Sequence, residues 1–235
     1  MKIITTSFLL LIVLTAFGQK EDVMTKLEEY GIAEEFLNTS LQDHDATHYF
    51  DIKTTTNDGT KNIVDIGYFN PELPVGKRWV IKSSNGATPP KKEVKKFNKA
   101  HNTKQKNING KVDDNSWKIV SDTENEIVIS FKYDRESLPN KFAFLADCLG
   151  SASINKKTKR LESASFVNEG PLKIKIFNVT ELDMTVEYLY IEAEKAYYMQ
   201  TEHLDMKVKL LGQIVEIEEI NEYSNYKKVK QLITQ

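Results

Sequence analysis

Three segments between Pro171 and Tyr226 decide the fold: Leu172-Lys173-Ile174-Lys175-Ile176, Leu182-Asp183-Met184-Thr185-Val186-Glu187-Tyr188 and Met206-Lys207-Val208-Lys209-Leu210. In each segment, apolar residues alternate with charged or polar ones. Successive side chains leave opposite faces of a strand, so this period-two alternation predicts half-buried antiparallel strands. The stretch therefore predicts a meander with one apolar face.

Shorter strands are predicted before the meander. The turn Asn57-Asp58-Gly59 separates His48–Ile52 from Asn62–Phe69, and an Asp-Gly pair between alternating segments is a strong hairpin signal. Arg78–Ser83 predicts a third strand. Further strands are predicted at 116–120, 126–133 and 161–167. The segment Lys141–Gly150 is either a helix that ends at Gly150 or a strand, since Cys148–Ile154 fits a strand and a short apolar run is ambiguous.

Two helices are predicted. Apolar residues recur at helical spacing over Glu21–Leu37, where Gly31 weakens the middle, and again over Pro90–His101. The second helix begins a basic run whose exposed side could bind an anionic surface or an acidic protein. A solvated helix face is the simpler interpretation. The lysines of this run are Lys91, Lys92, Lys95, Lys96, Lys99, Lys104 and Lys106.

The N-terminal residues predict export. A basic start, the apolar run Phe8–Leu14 and small residues before Gln19 are typical of a secretory signal peptide, with cleavage expected after Gly18. We expect residues 1–18 to be the signal peptide and residues 19–235 to form a single β-rich domain. The protein would then be periplasmic or secreted, without a membrane-spanning segment after cleavage.

Composition excludes some functions. The chain has 235 residues, with 32 Lys and Arg against 34 Asp and Glu, so no global field attracts nucleic acid and we expect no nucleic-acid partner. Cys148 is the only cysteine and cannot form an internal disulfide. Its apolar neighbours predict a buried structural thiol.

The sequence contains few residues in the patterns of catalytic, metal or cofactor sites. Asp43-His44-Asp45 with His48 is the densest group of metal-ligand residue types, but it lies where a loop runs into a strand, which favours a polar loop over a metal site. No nucleophile elbow or phosphate-binding glycine loop is present. We therefore expect no cofactor, no metal and no enzymatic activity, with a hydrolase as a weaker alternative.

Charges in the meander have a structural interpretation. Lys207 and Lys209 lie before Gly212, and Glu216 and Glu218 lie after it. Opposite charges across a hairpin contribute about 0.2–1 kcal/mol each and help to set the register. These carboxylates are therefore interpreted as structural rather than catalytic.

The aromatic and apolar residues of the strands either pack as a core or line a cavity. A sheet of this length with two helices could enclose a cavity, so we take a set of strand residues as candidates for its wall. The candidates are Phe50, Tyr68, Trp79, Trp117, Phe131, Leu172, Ile174, Met184, Val186 and Tyr188.

The order of these features resembles the LolA-like superfamily of bacterial envelope proteins. The likeness lies in a signal peptide, an opening helix, antiparallel strands interrupted by a helix after the third strand, and a last strand ending near Tyr223–Lys227. Loose motifs add to it: Phe69-Asn70-Pro71, Gly76-Lys77-Arg78-Trp79, Asn85-Gly86 and Pro90.

The resemblance implies a β-dominated α+β fold, an incomplete antiparallel β-barrel formed by a curved sheet, with helices covering the open side. It also implies an apolar cavity that accepts a lipid or the acyl chain of a lipoprotein, and burial of a chain yields about 0.8 kcal/mol per CH₂. The first hypothesis is thus a non-enzymatic lipid-binding protein. The alternative is an envelope protein-interaction or stress-sensing module that binds a partner protein through Lys91–Lys106.

Overall fold

A computed structural model describes residues 19–33, 47–101, 110–174, 177–210 and 212–229. These residues form one antiparallel sheet of eleven strands. The strands are β1 (His48–Asn57), β2 (Asn62–Phe69), β3 (Trp79–Ser84), β4 (Lys118–Asp122), β5 (Glu126–Phe131), β6 (Cys148–Asn155), β7 (Arg160–Asn168), β8 (Leu172–Ile174), β9 (Phe177–Ile191), β10 (Ala196–Leu210) and β11 (Gln213–Lys228).

Helices are few among the described residues. Helix α1 spans Gln19–Glu29 and helix α2 spans Lys91–His101. Two 3₁₀ helices, Arg135–Ser137 and Asn140–Asp147, connect β5 to β6.

The sheet is open. Its strands follow the order β3-β2-β1-β11-β10-β9-β7-β6-β5-β4, with β8 paired to β9, so the path does not close on itself. The prediction of a β-dominated fold with a curved, unclosed antiparallel sheet is confirmed. That helices cover the open side stays a prediction.

One face of the sheet carries the core. Directly paired residues share a face, and the register joins a row of them across nine strands. From β3 to β5 the row is Ser84, Asp65, Thr54, Asn221, Glu202, Val186, Ala164, Ala152 and Ile129. We call this side the inner face and the opposite side the outer face.

Two hydrophobic clusters lie at the two ends of the inner face. The larger one unites strands β5 to β10 with α1, whose Val23 and Leu27 are buried in it. The smaller one unites β1, β2 and β3 with α2 through Phe97. Each end of the sheet is thus stabilised by its own helix.

Close packing of α2 on the sheet depends on Gly67. A Cβ atom at this position would lie 2.7 Å from the carbonyl oxygen of Val80 and 2.9 Å from Cζ of Phe97. No side chain larger than hydrogen fits there without movement of β3 or of the Phe97 ring.

Most predicted elements are found. The Asp-Gly hairpin joins β1 to β2, and the meander from Pro171 onward forms β8 to β11. Helix α1 ends at Glu29, and Gly31 follows with φ +66°, so the predicted helix does not continue through Gly31. Residues 34–37 of that prediction lie outside the described ranges. The ambiguous segment is 3₁₀-helical to Asp147, and strand β6 begins at Cys148.

Candidate functional site

The middle of the inner face carries half-buried apolar side chains. They lie on the three longest strands, β9, β10 and β11, and pack against the larger cluster. Two of them are methionines, whose flexible thioethers adapt to varied ligand shapes. We call these residues the central stripe: Met184, Leu204, Met206 and Ile217.

A polar network borders the central stripe. Thr54 Oγ1 donates to Asn221 Oδ1 at 2.7 Å, and Asn221 Nδ2 donates to Glu202 Oε2 at 3.2 Å. Tyr223 donates its hydroxyl to the same Glu202 oxygen, also at 3.2 Å. Burial raises the pKa of Glu202, and the hydrogen bonds from Asn221 and Tyr223 oppose that rise. The inner-face row therefore changes from polar to apolar between Glu202 and Val186.

Two more acceptor oxygens lie at the polar end. Asp65 Oδ1 on β2 and Asn98 Oδ1 on α2 are shielded from solvent and have no hydrogen-bond partner among the described residues. Buried acceptors of this kind are normally satisfied by a hydrogen-bond donor. The inner face thus offers acceptors at one end and apolar surface in the middle, an arrangement that suits an amphipathic molecule.

The structure buries most of the residues predicted to line a cavity. Phe50 and Trp79 belong to the smaller cluster, and Trp117, Phe131, Leu172, Val186 and Tyr188 belong to the larger one. Ile174 and Met184 are half-buried against the larger cluster. Lining of a cavity by these side chains stays a prediction.

Tyr68 lies on the other side of the sheet. It pairs with Asp51, whereas its neighbour Phe69 pairs with Phe50 on the inner face. The ammonium group of Lys82 lies 4.8 Å from the centre of the Tyr68 ring. Phe50 and Tyr68 both contribute to a shallow hollow of about 400 Å³ near the β1–β2 pair.

Sequence reasoning missed Glu202, Asn221 and the β10 and β11 members of the central stripe. A signal was present, since Glu202 occupies the place that apolar residues take at Leu204, Met206 and Val208. A single carboxylate within an apolar alternation marks the point at which the inner face becomes polar.

His48 forms a buried network of its own. Its Nε2 lies 2.9 Å from Glu194 Oε2 and 3.0 Å from the Tyr198 hydroxyl, which donates to Glu194 at 2.7 Å. The hydrogen bond from Tyr198 and the contact with His48 hold the pKa of Glu194 below its usual range. Asp43, His44 and Asp45, grouped with His48 in the sequence, lie outside the described ranges.

Cys148 is buried, as predicted, with no exposed surface. Burial raises the pKa of its thiol to about 11, and the nearby carboxylates Asp147 and Glu169 add to the rise. A thiol in this state is a poor nucleophile at neutral pH.

The outer face has a different character. A groove of about 660 Å³ crosses β11, β10, β9 and β7 there, below the tip of the β1–β2 hairpin, and it is also bordered by Leu182, Met206 and Ile217 of the inner face. Its charged lining residues comprise Lys207 and six carboxylates, namely Glu169, Glu181, Asp183, Asp205, Glu216 and Glu218. Lys207 faces Glu216 across the β10–β11 hairpin, as predicted, and also pairs with Glu181 of β9 at 2.7 Å. Lys209 instead faces Ile214 and Glu218 faces Asp205, so the predicted pairing of opposite charges is wrong for these two residues.

The fold and the inner face together define the class of this protein. It is an antiparallel β-sheet protein whose long central strands carry an amphipathic surface, and this surface lies between two hydrophobic clusters that each include a helix. No protein-family model matches the sequence, and a comparison with curated proteins finds no match. Within the described residues no helix has both the length and the apolar character needed to span a membrane.

Solved structures do match. A LolA superfamily protein from Nitrosomonas europaea is 11% identical, with a TM-score of 0.33 over 88% of this chain and 94% of that one. A DUF1329 family protein from Desulfovibrio piger is 8% identical, with a TM-score of 0.36 over 91% and 93%. A structure from Vibrio parahaemolyticus, described as an outer membrane lipoprotein-sorting protein domain, is 8% identical, with a TM-score of 0.35 over 92% and 94%.

The resemblance to the LolA-like superfamily is thus found again among solved structures. At these identities and TM-scores the likeness carries no argument about function.

Proposed function

We propose that this protein is an exported, non-enzymatic binding protein that holds a lipid or a lipidated partner against the middle of its inner face. The observation that carries the proposal is the central stripe, where Met184, Leu204, Met206 and Ile217 are half-buried beside the Glu202 network. The apolar signal-like N-terminus supports an envelope location.

The ligand's orientation follows from the polar-to-apolar change along the inner-face row. An acyl chain would lie on Met184 and Leu204, where each buried CH₂ contributes about 0.8 kcal/mol. Its polar end would point along the row toward Glu202 and, further on, Asp65, which favours a ligand that carries hydrogen-bond donors such as hydroxyl or ammonium groups.

Native mass spectrometry of the protein purified from its own envelope tests whether lipid accompanies it. Titration with a fluorescent fatty acid measures the affinity directly. Leu204→Gln places an amide on the central stripe, and we expect it to weaken acyl binding roughly tenfold, since loss of about 1.4 kcal/mol is a factor of ten.

Leu189→Gln is the matched control. Leu189 is a leucine on the neighbouring strand β9, it is 46% exposed, and it lies outside the central stripe. Its substitution should leave acyl binding unchanged. If no lipid accompanies the protein and the fatty acid does not bind, or if both variants bind as well as the original chain, the proposal fails.

The exposed lysines of α2 favour a second candidate, an interaction module for an acidic partner protein. No ion pair between described residues uses these lysines, so their charges are available to a partner. They are Lys91, Lys92, Lys95, Lys96 and Lys99.

Crosslinking in the envelope tests this candidate. Replacement of the five lysines by glutamine should remove a specific crosslinked protein while leaving fatty-acid binding intact. A crosslinked partner that persists in this variant contradicts a role for α2.

A further inference from the structure

Three metal-ligating side chains meet on the outer face. Asp205 on β10 is directly paired with Glu218 on β11, and His203 lies two residues before Asp205, so all three leave the same side of the sheet. Their nearest ligand atoms, one from each side chain, lie within 4.8 Å of one another.

Two of the three distances between ligand atoms match a tetrahedral ion. His203 Nε2 lies 3.3 Å from Asp205 Oδ2 and 3.4 Å from Glu218 Oε1. Ligands bound to zinc at about 2.0–2.1 Å with tetrahedral angles are themselves about 3.3–3.4 Å apart. The Asp205 and Glu218 oxygens lie within 4.8 Å of each other, so adjustment of these two solvent-accessible side chains would let all three groups reach one ion.

His203 Nε2 is shielded from solvent yet has no hydrogen-bond partner among the described residues. It is aimed between two carboxylates, where a neutral imidazole nitrogen would present its lone pair to a cation. The surroundings favour a cation, because Asp205 and Glu218 also line the acidic outer-face groove.

We propose that His203, Asp205 and Glu218 form a zinc-binding site at the edge of this groove. One imidazole and two carboxylates suit zinc or a similar transition-metal ion, whereas magnesium and calcium prefer ligand sets made of oxygen alone. Three protein ligands leave a fourth coordination position, which can take water or an anionic group of a partner.

The three ligand side chains lie on the opposite face of the sheet from the central stripe, so the zinc proposal and the lipid proposal rest on different side chains. Residues of β10 alternate between the two: Glu202 and Leu204 face inward, and His203 and Asp205 face outward. Failure of one proposal therefore leaves the other standing.

The test is a zinc titration of the mature protein, that is, the chain left after any processing in the cell. It is purified without a polyhistidine tag and freed of metal by a chelator. Isothermal titration calorimetry should show one zinc ion per chain. His203→Gln and Glu218→Gln should each weaken binding at least tenfold, since each removes one of three ligands.

Glu216→Gln is the matched control. Glu216 lies on the same strand and lines the same groove, but it is not one of the three ligands. We expect the zinc affinity of this variant to stay within about threefold of the original chain, because the Glu216 side chain is 73% exposed and faces Lys207 rather than the proposed ion.

Cobalt substitution adds a second readout, since a tetrahedral cobalt spectrum should appear with the original chain and vanish in His203→Gln. Glu218 is 43% exposed, so its amide variant tests the site even if His203→Gln fails to fold. A chain that binds no zinc, or that binds it equally well in both ligand variants, overturns the proposal.

Discussion

Substitution of Gly67 by alanine tests how α2 is attached to the sheet. The added Cβ would meet the Val80 carbonyl oxygen at 2.7 Å and Cζ of Phe97 at 2.9 Å. Phe97 can turn away at the expense of its packing, but the Val80 carbonyl belongs to the backbone of β3 and moves only with that strand. Overpacking of this kind costs about 1–3 kcal/mol.

The cost should appear in thermal and urea unfolding. For a chain of this size, each kcal/mol lowers Tm by about 2–4 °C, so we expect a fall of about 2–12 °C. The double variant Gly67→Ala/Phe97→Leu relieves the contact with the ring and leaves the contact with Val80. It should therefore be less stable than Phe97→Leu alone.

Gly170→Ala is the control, because a Cβ at Gly170 has open space around it. We expect its stability to lie within about 0.5 kcal/mol of the original chain. If Gly67→Ala is equally harmless, α2 does not pack on β2 as closely as the distances indicate, and the account of the smaller cluster is wrong.

Three further predictions concern titratable groups. Because burial raises the pKa of Glu202, the original chain should lose stability as the pH rises through that pKa. Glu202→Gln should remove this loss, which unfolding curves recorded from pH 4 to 8 would show. The pKa of Glu194 is lowered, so the stability that its ionised carboxylate adds to the folded chain is lost as the pH falls through that pKa. Tyr198→Phe removes the hydrogen bond to Glu194, so it should lower the free energy of unfolding by roughly 1–3 kcal/mol at neutral pH and make stability depend less on acid. Cys148 should resist iodoacetamide at pH 8 in the native chain and react in urea, as mass spectrometry would show; rapid native labelling would contradict its burial.

Sequence alternation predicted the strands of the meander because one face of each strand is buried. The Asp-Gly pair and Gly212 likewise predicted turns, since both turns contain a glycine with positive φ. Local chemistry was enough for these elements.

Strand β10 shows why the candidate site was not predicted. A bulge between Met199 and Thr201 reverses the alternation, so that Met199 and Leu204 both pack against the larger cluster although they are five residues apart. Strict alternation puts them on opposite faces, and a bulge depends on the partner strand rather than on local sequence. The pairing of Asp205 with Glu218 is equally a matter of register.

The register of β10 therefore determines which side chains reach the central stripe on the inner face and which reach the zinc site on the outer face. A slip of one residue would move Leu204 to the outer face and bring His203 inward, exchanging apolar for charged side chains on both sides. Burial of Val208, which has 1% of its surface exposed, opposes such a slip because the neighbouring lysines would have to enter the core in its place. The contact between Lys207 and Glu181 adds to this preference on the outer face. The burial that stabilises the sheet thus also keeps the amphipathic surface and the His203 cluster on opposite faces.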